Sequence, residues 1–516
     1  MQKMTRRRNF CKGLFCLVLC VLLTVSLFSM PKGLDIDASD PFVVMLDPGH
    51  GGSDGGAVRG SSHERVFNEK LAAACRKELV TYDNVLVYVT RENNSDISTY
   101  ARSMYAKRVQ ADLFVSFHIN ANDGASANGA EIYVPHGNWK PEIATEAKLL
   151  ATQILSNFAA LELPGYGLAN NHLKNRGIQT RLIQNDTRLF YPDGSQGDYY
   201  EVIRMGVHND IPSMIIEHAF ISNPADLAML QDDAALEKLG KATADAIAQQ
   251  YNLKKTGQTL TQPVLKGQTS VINFPKPKSE ATVGGKPIDL TASGGTGTGE
   301  YVFYSNNPKV VRIEGNQAYI VGAGTVRLSV TKYEDGTYVP RSVPDINRPS
   351  ITVSCVQTQL QLSVADNYRG ANGKQNVVLS CAPALGTEYG AVPYGTVTFY
   401  KDDIKLGTAQ FKEDGKCTFT VTDIEPGNYN FKASYASGEF DGFEMNNTAT
   451  ATYLVESTEP TPTPAATLTP TSPSLQTAPP ASAGTTSAVL IIVFAVAAVL
   501  IIVAIIILLI CRFSRD

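Results

Sequence analysis

Two histidines and two glutamates stand where apolar stretches of this chain give way to polar ones. His50 closes the run Val43-Val44-Met45-Leu46-Asp47-Pro48-Gly49-His50-Gly51-Gly52. Its first half has the length of a buried strand, and its second half is a Gly/Pro turn that lets the backbone approach something closely. His118 lies at the end of a second such run, Ala111 to Phe117, which leads through Ile119 into Asn120-Ala121-Asn122. Glu217 lies at the tip of a third, after Met214-Ile215-Ile216. Glu64 opens a helical pattern reaching to about Val80. Phe67, Asn68, Leu71, Cys75 and Leu79 follow it on one face at spacings of 3, 4, 7, 11 and 15 residues. A carboxylate at the head of an apolar stripe is costly unless something positive meets it. A capping box, with Glu64 reaching back to Ser61, is the cheaper local alternative. Taken together, two imidazoles and one carboxylate are the open three-ligand set of a catalytic zinc site, and a further carboxylate nearby suits a general base.

The elements that must hold these groups form an α/β pattern. From Phe42 to Tyr251 apolar strand-like runs alternate with helical stretches, as in a mixed sheet flanked by helices. Strand ends facing turns are where such folds place ligand-handling residues.

This region resembles the zinc-dependent N-acetylmuramoyl-L-alanine amidases of the amidase type 3 family. The resemblance rests on the DPGHGG turn, the Glu fourteen residues after its His, the ADLFVSFHINA run and IIEHAFISNPAD. Val87 to Arg91, Tyr100-Ala101-Arg102 and Ala106 also fit in order. It implies zinc held by His50, Glu64 and His118, with Glu217 as the catalytic carboxylate. It also implies a peptidoglycan substrate, cut at the amide between N-acetylmuramic acid and L-alanine of the stem peptide by zinc-activated water. His218 and Ala219 depart from the family's usual residues after the acid, and Asn175 to Asp210 follows it only loosely. A different zinc peptidase of peptidoglycan, or a surface protein that binds without catalysis, are the readings to set against it.

Several neighbours receive bland assignments. Glu69 lies about 140° round the helix from Glu64 and is a poor ligand. His63 is expected to face solvent, and His218 to point away from Glu217 across the strand. Asn120 and Asn122 read as solvated turn residues.

The 516 residues suit several domains, and a net charge of -4 gives no reason to expect a nucleic-acid partner. Basic residues before the apolar run Leu14 to Met30 make residues 1–40 a signal peptide or N-terminal anchor. The catalytic domain is expected over 41–253 and a Pro-containing linker over 254–278. Two all-β segments follow, 279–356 and 357–456, with short β-rich runs between Gly and Asn turns that resemble bacterial Ig-like sandwich domains. They read as spacers. Residues 457–487 form a Pro/Thr-rich stalk. Ala488 to Cys511 is long and apolar enough for a transmembrane helix, and Arg512 and Arg515 favour a cytoplasmic tail over 512–516. The domains would then lie outside the cell, anchored in its membrane. Cys75 reads as a small core residue, while Cys381 and Cys417 are either a disulfide or two buried thiols.

Overall fold

The structure is a computed structural model that describes residues 40–163, 172–184, 186, 189–369 and 375–456. The expected signal, stalk, transmembrane helix and tail lie outside the described residues. Among the described residues no helix is long and apolar enough to cross a membrane.

The N-terminal part is a six-stranded mixed sheet with helices. Its elements are β1 (Phe42–Pro48), the short ribbon β2 (Val58–Arg59) and β3 (Ser62–His63), α1 (Glu64–Leu79) and β4 (Val85–Val89). Then come α2 (Thr99–Arg108), β5 (Leu113–Asn120), β6 (Ala130–Tyr133), α3 (Pro141–Ala160) and β7 (Asn175–Gln179). The last are α4 (Glu201–His208), β8 (Ser213–Phe220), α5 (Pro224–Leu230) and α6 (Asp233–Gln250). The sheet order is β4-β1-β5-β8-β6-β7, with β6 antiparallel to β8 and the remaining pairs parallel. Every residue of β1 is buried, as an apolar run covered on both faces requires. The expected stripe of α1 is buried, Glu64 and Asn68 included. The region after Asn223 divides into two helices, because Asn223 caps α5 and Asp232 starts a new cap for α6.

The segment expected to be a free linker is pinned along the edge of the sheet. Asp83 accepts hydrogen bonds from the backbone N–H groups of Thr256, Gly257 and Gln258 at 2.6, 3.0 and 2.8 Å. Gln262 accepts from Val87 N at 3.1 Å and donates to Val85 O at 2.8 Å. These bonds cover the exposed edge of β4, which would otherwise present unpaired backbone groups. The segment ends in a strand of its own, Ile272–Asn273, paired with Ser293–Gly294.

Two β regions follow. In the first, Glu280–Thr282, Ser350–Ser354, Gly324–Lys332 and Tyr301–Ser305 form one sheet, and Ile288–Asp289, Gln317–Ile320 and Val311–Glu314 another. In the second, Leu360–Arg369, Gln375–Pro383 and Cys417–Ile424 face a four-stranded sheet made of Ile404–Gln410, Gly395–Lys401, Gly427–Ser437 and Thr448–Val455. One apolar core runs through both regions. Cys381 and Cys417 sit opposite each other in the ladder as buried free thiols.

The first β region is docked on the α/β domain, which a simple spacer would not be. Tyr333 and Val339 belong to the α/β core. Tyr100 stacks on Tyr304 with ring centroids 3.8 Å apart. Arg108 pairs with Glu300 and Glu334 at 2.7 and 2.8 Å. Ser342 N donates to Asp96 O at 2.8 Å, and Ser98 N donates to Ser342 Oγ at 3.0 Å.

Candidate metal centre and active site

The site lies at the carboxyl ends of β1, β5 and β8. β1 and β5 are paired in parallel, so the turn after β1 meets the end of β5. Gly49 is required at that meeting: a Cβ there would fall 2.2 Å from Nε2 of His118. His50 follows in the left-handed region at φ 60, an uncommon place for a residue with a side chain. Two buried arginines hold this turn. Arg91 donates to Pro48 O and Gly49 O at 2.8 and 3.1 Å. Arg102 donates to Pro48 O and His50 O at 2.9 and 2.6 Å, and to Asp47 at 2.5 Å.

Asp47 is the buried counter-charge. It also accepts from the hydroxyls of Thr90 and Ser116, each at 2.5 Å. Burial works against its charge, but Arg102 and these hydroxyls prevail and hold the carboxyl below its usual range.

Helix α1 delivers Glu64 into this turn. His63 is its N-cap and makes no side-chain cap, so the capping box does not form and the Glu64 carboxylate is free to turn inward. Glu64 Oε1 lies 3.2 Å from His50 Nε2 and 2.9 Å from His118 Nδ1, and accepts from Ile119 N at 3.0 Å. Oε2 accepts from Ala57 N at 2.8 Å. Gly56, at φ +65, leaves room, since a Cβ would stand 2.6 Å from Glu64 Oε2 and 2.7 Å from His50 Cδ2. One ligand atom from each of His50, Glu64 and His118 lies within 4.8 Å of the others.

Asp54 had no role in the sequence reading. It takes His50 Nδ1 at 2.7 Å, which turns Nε2 towards Glu64. A carboxylate behind a ligand imidazole fixes its ring and raises its basicity. Its position four residues after His50, inside a Gly-rich turn, was the available signal. Burial opposes the imidazolium, yet Asp54 and Glu64 outweigh it and raise the pKa of His50 to about 9. Asp54 is lowered to about 2, first by its bond to His50. Glu64 is likewise held low: burial opposes its charge, but the two histidines override it.

Glu217 is the register partner of His118 on one side and of Glu131 on the other. Burial, then the charges of Glu64 and Glu131, push its carboxyl well above the usual range, against a smaller opposite pull from His50. Its Oε2 is buried and has no hydrogen-bond partner among the described residues. Glu131 is itself held by Arg176 at 2.8 Å and by Asn120 at 2.9 Å, so Asn120 is a structural donor rather than a solvated turn residue. Asn122 is exposed.

The remaining candidates fall outside the site. His218 is fully buried between Phe117 and Phe158, and burial lowers its pKa to about 4. Glu69 pairs with Arg91 at 3.1 Å. His63 is half-buried with a buried, unpartnered Nδ1, contrary to the expectation that it faces solvent; the ribbon β2–β3 and Gly55 close over it.

A cleft of about 570 Å³ opens over His50, His118 and Glu217. Tyr200 and Glu201 line it from the start of α4, and Val343 to Ile346 with Arg348 line it from the first β region. Residues 44–249 match the family described as N-acetylmuramoyl-L-alanine amidase. The amidase match covers the whole α/β site and neither β region. The N-acetylmuramoyl-L-alanine amidase LytC of Bacillus subtilis is 30% identical over 208 residues, which take in 40% of this chain and 35% of that protein. The probable cell wall amidase LytH of Staphylococcus epidermidis is 28% identical over 213 residues, 40% of this chain and 58% of that one. The solved catalytic domain of CwlV, an amidase of Bacillus (Paenibacillus) polymyxa, is 26% identical, covers 41% of this chain and 99% of its own, and has a TM-score of 0.32. This chain spans less than two thirds of the length of the two curated relatives. The family and the relatives support one enzyme class for the matched segment, that of the amidases.

Proposed function

We propose that the protein is a zinc-dependent peptidoglycan hydrolase that cleaves the amide between N-acetylmuramic acid and L-alanine of the stem peptide. His50, Glu64 and His118 would hold the zinc, and Glu217 would be the general base. The observation that carries this reading is the convergence of three ligand atoms within 4.8 Å, with Glu217 beside His118 in register. The donor set fits zinc in kind and number: two imidazoles, one carboxylate and room for a fourth group. Glu217 lines the cleft, where its carboxyl can meet a water molecule or a substrate. Zinc bound there supplies Lewis-acid chemistry, acidifying water and polarising the amide carbonyl.

The chain's own groups do the rest. Asp54 keeps the His50 ring turned inward. Glu217 takes a proton from the attacking water and returns it to the leaving amine, which amide cleavage requires. A carboxyl held above its ordinary range suits both halves of that transfer. The two β regions, 279–356 and 357–456, are Ig-like modules in this reading, and the protein acts at the cell surface.

The test is digestion of purified peptidoglycan by the full chain, with and without a chelator, followed by mass spectrometry. Free stem peptides with a new L-alanine amino end, lost on chelation and restored by zinc, are expected. Cleavage at another bond, or none by zinc-loaded folded protein, would overturn the reading.

A further inference from the structure

The active-site cleft is completed by a part of the chain that the amidase match does not cover. Its outer wall is the stretch Val343 to Arg348, which follows the strand Arg341–Ser342. That strand is fastened beside the catalytic turn: Ser342 bonds to Asp96 and Ser98, and Arg341 lies 3.8 Å from Asp96. Asp96 in turn accepts from Ser53 N and Oγ at 2.8 and 2.7 Å, three residues from His50. The wall is thus tied to the same turn that presents the metal-ligand candidate.

Its side chains are not occupied by that fastening. Ile346 is 86% exposed, an apolar group held out at the mouth of the cleft. Two guanidinium groups line the cleft. Arg102 is spent on Asp47 and two backbone carbonyls. Arg348 pairs only its terminal nitrogen, with Asp345, and its Nε is buried without a partner among the described residues. Two of the cleft's acids are engaged elsewhere: Glu201 takes Thr99 and Tyr304, and Asp96 takes Ser53. Arg348 is held by one carboxylate, Asp345, which is itself 71% exposed. A pair with so exposed a carboxylate is weak, and a substrate carboxylate can meet the planar fork of a guanidinium in a directed way.

We propose that Arg348 and Ile346 form a substrate subsite, in which the guanidinium receives a free carboxylate of an acidic stem peptide and Ile346 covers an adjacent apolar side chain. The first β region is then a substrate-positioning part of the active site. This rests on the amidase reading for the identity of the peptide, but its test does not require hydrolysis.

The experiment is calorimetric binding to the full chain in detergent. The probes are a synthetic stem peptide with L-alanine at its amino end and free carboxylates, and the same peptide with every carboxylate amidated. The acidic peptide is expected to bind more tightly, and Arg348→Ala to weaken it about tenfold or more while leaving the amidated peptide unchanged. Arg348→Lys should restore part of the loss. Asp345→Asn frees the second edge of the guanidinium and should tighten the acidic peptide, a gain that misfolding cannot mimic. Equal binding of the two peptides by the unaltered chain would overturn the subsite, as would an equal loss for both in Arg348→Ala or a weakening in Asp345→Asn. Hydrolysis without carboxylate discrimination would refute the subsite alone. Discrimination without hydrolysis would refute the amidase reading alone.

Discussion

Replacing Arg102 by Met tests whether the His50 turn is held electrostatically. The substitution keeps much of the side-chain stem but removes the partner of buried Asp47 and the donors to Pro48 O and His50 O. Breaking a buried ion pair from one side costs about 3–5 kcal/mol, because a buried charge is left uncompensated. The sign with pH follows from Asp47. Its pKa in the folded protein lies below the ordinary 3.8, so its contribution is complete above that value and is lost as pH falls through the folded pKa. Without Arg102 the burial effect prevails and the folded pKa rises above the unfolded one. Asp47 then destabilises at neutral pH and ceases to do so once protonated. The stability gap between the two proteins should therefore be about 3–5 kcal/mol at pH 7 and shrink towards pH 4. Trp139 is the one tryptophan of the chain and packs against Tyr191 and His208, so its fluorescence during urea unfolding reports on the α/β domain. The measurement is made in chelator to keep metal occupancy out of it. A gap below about 1 kcal/mol, or one that stays constant between the two pH values, would refute the argument.

Three further outcomes are expected. Glu217→Gln should keep its metal content and lose about 10²–10⁴-fold in peptidoglycan hydrolysis, since it removes the proton carrier and no ligand; full activity would end that role. Asp54→Ala should weaken zinc affinity about 10–100-fold by releasing the His50 ring, read by competition with a chromophoric chelator, and an unchanged affinity would dissociate Asp54 from the site. A fragment ending at Leu253 strips the cover from the β4 edge and from the face occupied by Tyr333 and Val339. It should unfold at lower urea than a chain carried through residue 356, and equal midpoints would mean that the docking contributes nothing to stability.

Local patterns carried the sequence reading a long way. Each of His50, His118 and Glu217 sits where an apolar run stops, and a run long enough to be a buried strand announces its own end. The stripe behind Glu64 has the helical period, which is why α1 could be placed and why its leading carboxylate stood out as needing a partner. The structure brings His50, Glu64 and His118 together, and His50, His118 and Glu217 line one cleft. What it added depends on contacts between distant parts of the chain. Glu131 faces Glu217 only because β6 runs antiparallel to β8 at one register, and no period in either strand encodes that register. Arg91 and Arg102 fitted a pattern, but their task of holding the carbonyls of residues 48–50 is visible only when three elements are packed together.

The C-terminal half shows the same division. Its Gly and Asn turns between short β-rich runs were enough to read strands such as Tyr301–Ser305 and Gly395–Lys401. Residues 254–278 have no period, and a segment without one reads as a linker. Yet Asp83 binds its backbone and its Gln262 side chain binds the backbone of β4, and the result is an ordered strap along β4. The chain's own alternation of apolar and polar residues determined which strands and helices form and which side chains stand at their ends. Only the tertiary structure decided which ends meet, because register and docking are set by long-range packing and hydrogen bonds that leave no local signature.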